Sequence, residues 1–100
     1  MKLTPLWTAD AEDSFAEIID HLVKEWSRTV ALVFHEEVER TIELLTMFPG
    51  AGAKEVRDQD IRSIPVARQV RLFYRTDDKR LYVLIFIDVR GDLFQRVKVE

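Results

Sequence analysis

Residues 61–90 read IRSIPVARQVRLFYRTDDKRLYVLIFIDVR, and this stretch decides the fold. It divides into three strands, with arginines on them and at their ends. In QVRLFYRT, Val70, Leu72 and Tyr74 fall on one face, while Arg71, Phe73 and Arg75 fall on the other, because successive side chains of a strand alternate. Asp77-Asp78-Lys79 makes a tight turn and so a hairpin. In LYVLIFI (81–87) both alternating sets are apolar, which predicts a strand buried on both faces, in the middle of a sheet. Pro65 places the preceding strand on an edge or at a bulge, since it cannot donate to a ladder.

Upstream, the spacing predicts two amphipathic helices. Phe15, Ile18, Ile19, Leu22 and Trp26 form one stripe, behind a Thr8 cap and an acidic first turn of Asp10, Glu12 and Asp13. Ser27 caps the second helix, whose apolar side is Phe34, Val38, Ile42 and Leu45, and Pro49-Gly50 ends it. The short Ser27–Thr29 link implies an antiparallel hairpin of helices. Residues 2–7, KLTPLW, read as an extended lead-in and an edge strand at best; residues 50–60, as a polar loop. Trp7 and Trp26 read as core or helix-packing residues. The tail after Gly91 is a candidate edge strand. The order is (β)ααβββ, an α+β fold with a helical hairpin on one face of a small antiparallel sheet and a cationic surface on the other.

One hundred residues make a single domain, 1–100, and 47% hydrophobic content allows a real but small core. The net charge of −3 conceals an asymmetry. Residues 1–48 hold four Lys/Arg against ten Asp/Glu, a net of −6; residues 49–100 hold eleven against eight, a net of +3. The acidic total argues against a general nucleic-acid binder but leaves room for a local cationic site. With no cysteine, disulfide and thiolate chemistry are excluded. There is no apolar leader, and the longest apolar run is far short of the about 20 residues that cross a bilayer, so a soluble cytoplasmic protein without a membrane partner is expected. His21 and His35 sit on different helices without further ligands at metal spacing, so neither a metal nor another cofactor is expected. No Ser-His-Asp set and no phosphate loop stands out.

Taken together, LWTADAEDSFAEIIDHLVKEW, FHEEVERTIELLTMFPGAG, IRSIPV, VRLFYRT and LYVLIFIDVRGD, in this order and spacing, resemble the RelE/ParE superfamily of bacterial type II toxin–antitoxin toxins. The resemblance covers nearly the whole chain. It implies a growth inhibitor of the plasmid-stabilisation type, neutralised by a small antitoxin, with either DNA gyrase or messenger RNA in the ribosome as target. Arg71 matches the arginine of the family's Tyr-Arg-Leu-x-Tyr strand. Arg90 matches the arginine that RelE-like ribonucleases hold near the scissile phosphate. An arginine on a rigid strand can clamp a phosphate, or else pair with an acidic partner segment. Asp88, two residues before Arg90, reads as half of a structural ion pair closing the sheet end. The ribonuclease pattern also needs a tyrosine after Arg90, where this chain has Phe94 and Arg96, and a lysine pair before the sheet, where it has Lys54 with Arg57 nearby. Those departures favour a ParE-like gyrase poison. A RelE-like endonuclease and a non-toxic interaction module remain as alternatives. Arg62, Arg71, Phe73, Arg75, Asp88, Arg90 and Phe94 are the candidate target- or antitoxin-binding residues. A homodimer, or a heterotetramer with the antitoxin, is compatible with all three readings.

Overall fold

The computed structural model describes residues 2–67 and 69–89. Strand β1 (Thr4–Trp7) leads into helices α1 (Ala9–Glu25) and α2 (Arg28–Met47), followed by a 3-10 turn at Pro49–Ala51. Then come β2 (Ala53–Lys54), β3 (Arg62–Ala67), β4 (Val70–Thr76) and β5 (Arg80–Asp88). The strands form one sheet in the order β1-β5-β4-β3-β2.

Both helices start at the predicted caps. The Thr8 hydroxyl accepts from Ala11 N and the Ser27 hydroxyl from Val30 N, each at 3.1 Å. Such a cap removes an otherwise unpaired amide and is worth about 1 kcal/mol. Thr8 also donates to the carbonyl of Leu84 at 2.8 Å, so the cap of α1 is bonded to the sheet. On α2 the predicted stripe is buried throughout, with Phe34, Val38, Ile42 and Leu45 facing Leu72, Tyr74, Leu81 and Val83 of the sheet. On α1, Phe15, Ile18, Ile19 and Leu22 pack against this core, and Ala11 is fully enclosed.

Trp26 departs from the expectation. It is the C-cap residue of α1, with φ −126° and ψ −87°, so the chain has left the helical path and the i+4 direction no longer holds. Its side chain is 72% exposed.

Three features of the sheet go beyond the sequence reading. β1 runs parallel to β5, so the sheet is mixed rather than wholly antiparallel. A two-residue strand, β2, forms within the segment read as a loop and pairs with Arg62 and Ser63. In β5 the register slips: Phe73 faces Ile85 while Tyr74 faces Val83, leaving Leu84 as an extra residue. A bulge of this kind reverses the inward parity of a strand. Leu81 and Val83 point to the core before it and Phe86 after it. The surplus apolar residues of β5 are therefore only half covered on the side away from the helices. Pro65 sits where β3 has passed the end of β2, beside an irregularity between Pro65 and Ala67, so it interrupts no ladder that needs its missing N–H.

Buried Tyr74 joins the sheet to the end of α2. Its hydroxyl donates to the carbonyl of Pro49 at 2.7 Å and accepts from Gly52 N at 2.9 Å. Burial raises the phenol above its ordinary pKa of 10.0, with the Gly52 hydrogen bond and the Arg62 charge opposing the shift. A raised folded-state pKa means that this contribution is complete below the unfolded value and is lost as pH rises through the folded one. Urea unfolding against pH should therefore show stability falling at strongly alkaline pH, with a smaller fall in Tyr74→Phe.

Candidate functional site

The sheet face turned away from the helices carries the predicted arginines. Val70, Leu72 and Tyr74 are buried under α1 and α2, so Arg71, Phe73 and Arg75 project from the opposite side. Directly across from Arg71 lie Pro65 and Ile87; across from Phe73, Ser63 and Ile85; across from Arg75, Tyr82.

Arg71 is bound into the sheet. Its Nε and Nη2 donate to the Ser63 hydroxyl at 3.2 and 3.1 Å, and Nη2 also reaches the Ser63 carbonyl at 3.4 Å. The same hydroxyl, in a residue only 2% exposed, donates to Glu55 Oε2 at 2.8 Å. One serine thus links a guanidinium to a carboxylate. Arg75 stacks on the Tyr82 ring at 4.6 Å, and the Tyr82 hydroxyl donates to Asp77 at 2.9 Å. Asp77 also accepts from the amides of Lys79 and Arg80; these two bonds, then the one from Tyr82, hold its carboxyl below the usual range. Between the two arginines the surface is apolar: Phe73, Leu84, Ile85, Ile87 and Ile61 line a shallow depression with Thr8 and Asp10. The open face therefore carries an apolar strip between its arginines, because the β5 bulge turns isoleucines outward.

The other candidates do not converge there. Arg62 faces Tyr74 across the β3–β4 ladder, so it shares the helix-facing side, and its Nη1 donates to the Gly52 carbonyl at 2.7 Å. Lys54 is paired with Arg62 on β2, and Arg57 is exposed in the loop beyond. Asp88 faces Val70, which also places it on the helix-facing side; Gln69 Nε2 lies 3.5 Å from its Oδ2. Arg71 and Asp88 are thus on opposite faces of the sheet. Arg90 and Phe94 lie outside the described residues, and so does Arg90's part in any ion pair with Asp88. Among the described residues, no group of three His, Cys, Asp or Glu is placed to hold a metal ion, and no helix is long and apolar enough to cross a membrane.

Two features escaped sequence reasoning. Ser63 meets Arg71 through the β3–β4 register and Glu55 joins Ser63 from just past β2, and the outward parity of Ser63 was the sole available signal. The second is a cleft of about 600 Å³ on the helix side. Ile18 and Leu22 of α1, with the cap residue Trp26, form one wall and Val30, Val33 and Phe34 of α2 the other. Ala67 and Val70 form the floor, and Glu17, His21, Glu37, Gln69 and Asp88 complete the lining.

A family model described as the ParE toxin of the type II toxin–antitoxin system, parDE, matches residues 6–93. The chromosomal ParDE system of P. aeruginosa contains a chain of the same fold: TM-score 0.72, 19% identity, 87% of this chain and 96% of that one covered. A YoeB/ParE toxin from Agrobacterium tumefaciens aligns with TM-score 0.58 and 18% identity, over 84% of this chain and 95% of the other. No curated protein matches in sequence.

Proposed function

Because the chain belongs to the ParE toxin family of type II toxin–antitoxin systems, whose members have an antitoxin partner, we propose that it acts in the cytoplasm by binding and poisoning DNA gyrase. The observation that carries this reading is the state of Arg71. Among the described residues its side-chain hydrogen bonds go to Ser63, and Asp88, the other candidate for chemistry, is on the far face of the sheet. Cleavage of RNA by its own 2′-hydroxyl needs a proton acceptor, a proton donor and stabilisation of the phosphorane charge. Among the described residues, the Ser63 hydroxyl beside Arg71 is already engaged as donor and acceptor, and no other proton donor is bonded to this group. An apolar strip flanked by an aromatic-stacked arginine suits a protein surface better than a phosphodiester.

One observation favours a second reading, a RelE-like messenger-RNA endonuclease. Glu55 lies one serine away from Arg71, so an acceptor and a cation are neighbours. Pulse labelling of DNA and protein synthesis after tightly controlled induction separates the two. An early fall in DNA synthesis supports the gyrase reading; an early fall in protein synthesis overturns it. Arg71→Ala should keep growth inhibition within about threefold of the parent, because binding energy is spread over a surface. A ribonuclease should lose about 100-fold or more with its fold intact. A parent without any effect on growth would identify an interaction module instead.

A further inference from the structure

We propose that Thr8 is a positioning residue for the open sheet face: by holding the β5 bulge, it decides which side chains that face presents. The inference rests on the reading above in one respect, that this face meets the target.

The apolar pattern of β5 does not choose its register. As folded, Phe73 lies opposite Ile85 and Leu72 opposite Phe86, with Leu84 as the extra residue. Were Leu84 taken into the ladder, the register of Tyr74 with Val83 would run on. Phe73 would then face Leu84, and Leu72 would face Ile85. Facing residues share a side of the sheet, so Ile85 and Ile87 would enter the core and Phe86 would leave it. Leu84, Ile85, Phe86 and Ile87 are all apolar, so hydrophobicity alone barely separates the two arrangements.

Backbone hydrogen bonding does separate them. β1 follows β5 as far as Trp7 beside Val83, and among the described residues no strand continues along that side. The next backbone groups are met by α1 and its cap instead. The Thr8 hydroxyl donates to the Leu84 carbonyl at 2.8 Å, and the Ser14 hydroxyl accepts from Phe86 N at 3.0 Å. Successive peptide groups of a strand point alternately to its two neighbours. Val83 O accepts from Thr8 N, so in an unbulged strand the next carbonyl, that of Leu84, would turn to β4 and away from Thr8. The Thr8–Leu84 bond therefore belongs to the bulged register. Ser14 discriminates less, since the slip would bring Ile85 N to its hydroxyl in place of Phe86 N. The Phe86 ring, packed on Trp7 and Phe15, favours the same register as Thr8.

The two registers present different surfaces. With the bulge, Leu84, Ile85 and Ile87 join Phe73 around a shallow depression bordered by Thr8. The slip would withdraw both isoleucines and set the larger Phe86 ring opposite Arg71. A partner fitted to the first surface would not fit the second.

Thr8 also caps α1, accepting from Ala11 N at 3.1 Å, and the test separates the two roles. Thr8→Ser keeps both. Thr8→Asp keeps the cap acceptor, but its carboxylate cannot donate to Leu84. In isotope-labelled full-length protein, the cross-strand Hα–Hα nuclear Overhauser contact of Leu72 should go to Phe86 in the parent and in Thr8→Ser. Thr8→Asp should show a second set of signals, with Leu72 opposite Ile85. Growth inhibition should fall at least about tenfold in Thr8→Asp and stay within about twofold in Thr8→Ser. The parent's contacts persisting unchanged in Thr8→Asp would overturn the proposal, whatever the toxicity, and leave Thr8 a helix cap. A slipped register with undiminished growth inhibition would overturn the role of this face in meeting the target. If Thr8→Asp does not fold, Ile85→Phe/Phe86→Ile sets packing against the Thr8 bond. Leu72 still opposite position 86 supports the proposal, and Leu72 opposite position 85 overturns it. The register is read without any target, so a growth effect traced by pulse labelling to protein synthesis would remove the gyrase reading and not the hold of Thr8 on β5.

Discussion

Gly52→Ala should lower the unfolding free energy by about 2–4 kcal/mol, among the largest effects expected from adding one methyl group anywhere in the chain. A Cβ built on Gly52 would lie 2.6 Å from the Tyr74 hydroxyl oxygen, 2.8 Å from its Cε1 and 2.9 Å from the carbonyl oxygen of Ser63. The phenol cannot swing aside. It is fully buried and held by the Pro49 carbonyl and the Gly52 amide. Nor can the Ser63 carbonyl retreat, because it belongs to β3 and also lies near Arg71. For a domain of this size the midpoint of thermal unfolding should drop by roughly 10–25 °C, followed by circular dichroism. Gly50→Ala is the control: nothing lies within 4 Å of its added Cβ, and it should change stability by no more than about 0.5 kcal/mol. If the two variants melt together, the Tyr74 contact is not as tight as described.

Phe86→Ala should cost about 3–5 kcal/mol. Phe86 is 3% exposed and belongs to an aromatic cluster contributed by four elements. Its ring lies 5.3 Å from Trp7, at the end of β1, and 5.6 Å from Phe15 of α1, which stacks at 5.8 Å on Phe34 of α2. Removing the ring opens a void where the edge strand, both helices and the sheet meet, and forfeits aromatic contacts worth about 0.5–1.5 kcal/mol each beyond their area. The backbone around it is fixed as well, since Phe86 N donates to the Ser14 hydroxyl at 3.0 Å. Phe86→Leu should recover most of the loss. Urea denaturation of the two variants checks both statements. An alanine variant within about 1 kcal/mol of the parent would mean that the cluster collapses into the void at little cost.

Much of this architecture was legible because it is written in local patterns. The α2 stripe, the Thr8 and Ser27 caps, the Pro49 stop and the β4 alternation each depend on neighbours within a few residues. Assigning Arg71 and Phe73 to the open face followed from that alternation alone. What escaped is non-local or ambiguous. Parallel pairing of β1 joins residues 76 apart in sequence, and no local signal announces it. The β5 bulge was hidden because both parities of LYVLIFI are apolar, so a slip leaves no polar residue misplaced. The Glu55–Ser63–Arg71 link and the cleft are each assembled from separate segments by the register and by helix packing. Trp26 was misplaced because a stripe was extended one step past the helix end.

The pairing of β1 with β5 also sets a timetable. Thr4 lies beside Arg80, and the Thr8 hydroxyl is bonded to Leu84. Strand β1 therefore waits for β5 before it has a neighbour. During translation the helical hairpin can form early from local contacts, but the sheet stays without its edge until β5 has emerged. Closing so long a loop is slow compared with forming helices. A nascent chain of this design carries an incomplete sheet until β5 has emerged, so both faces described above mature together.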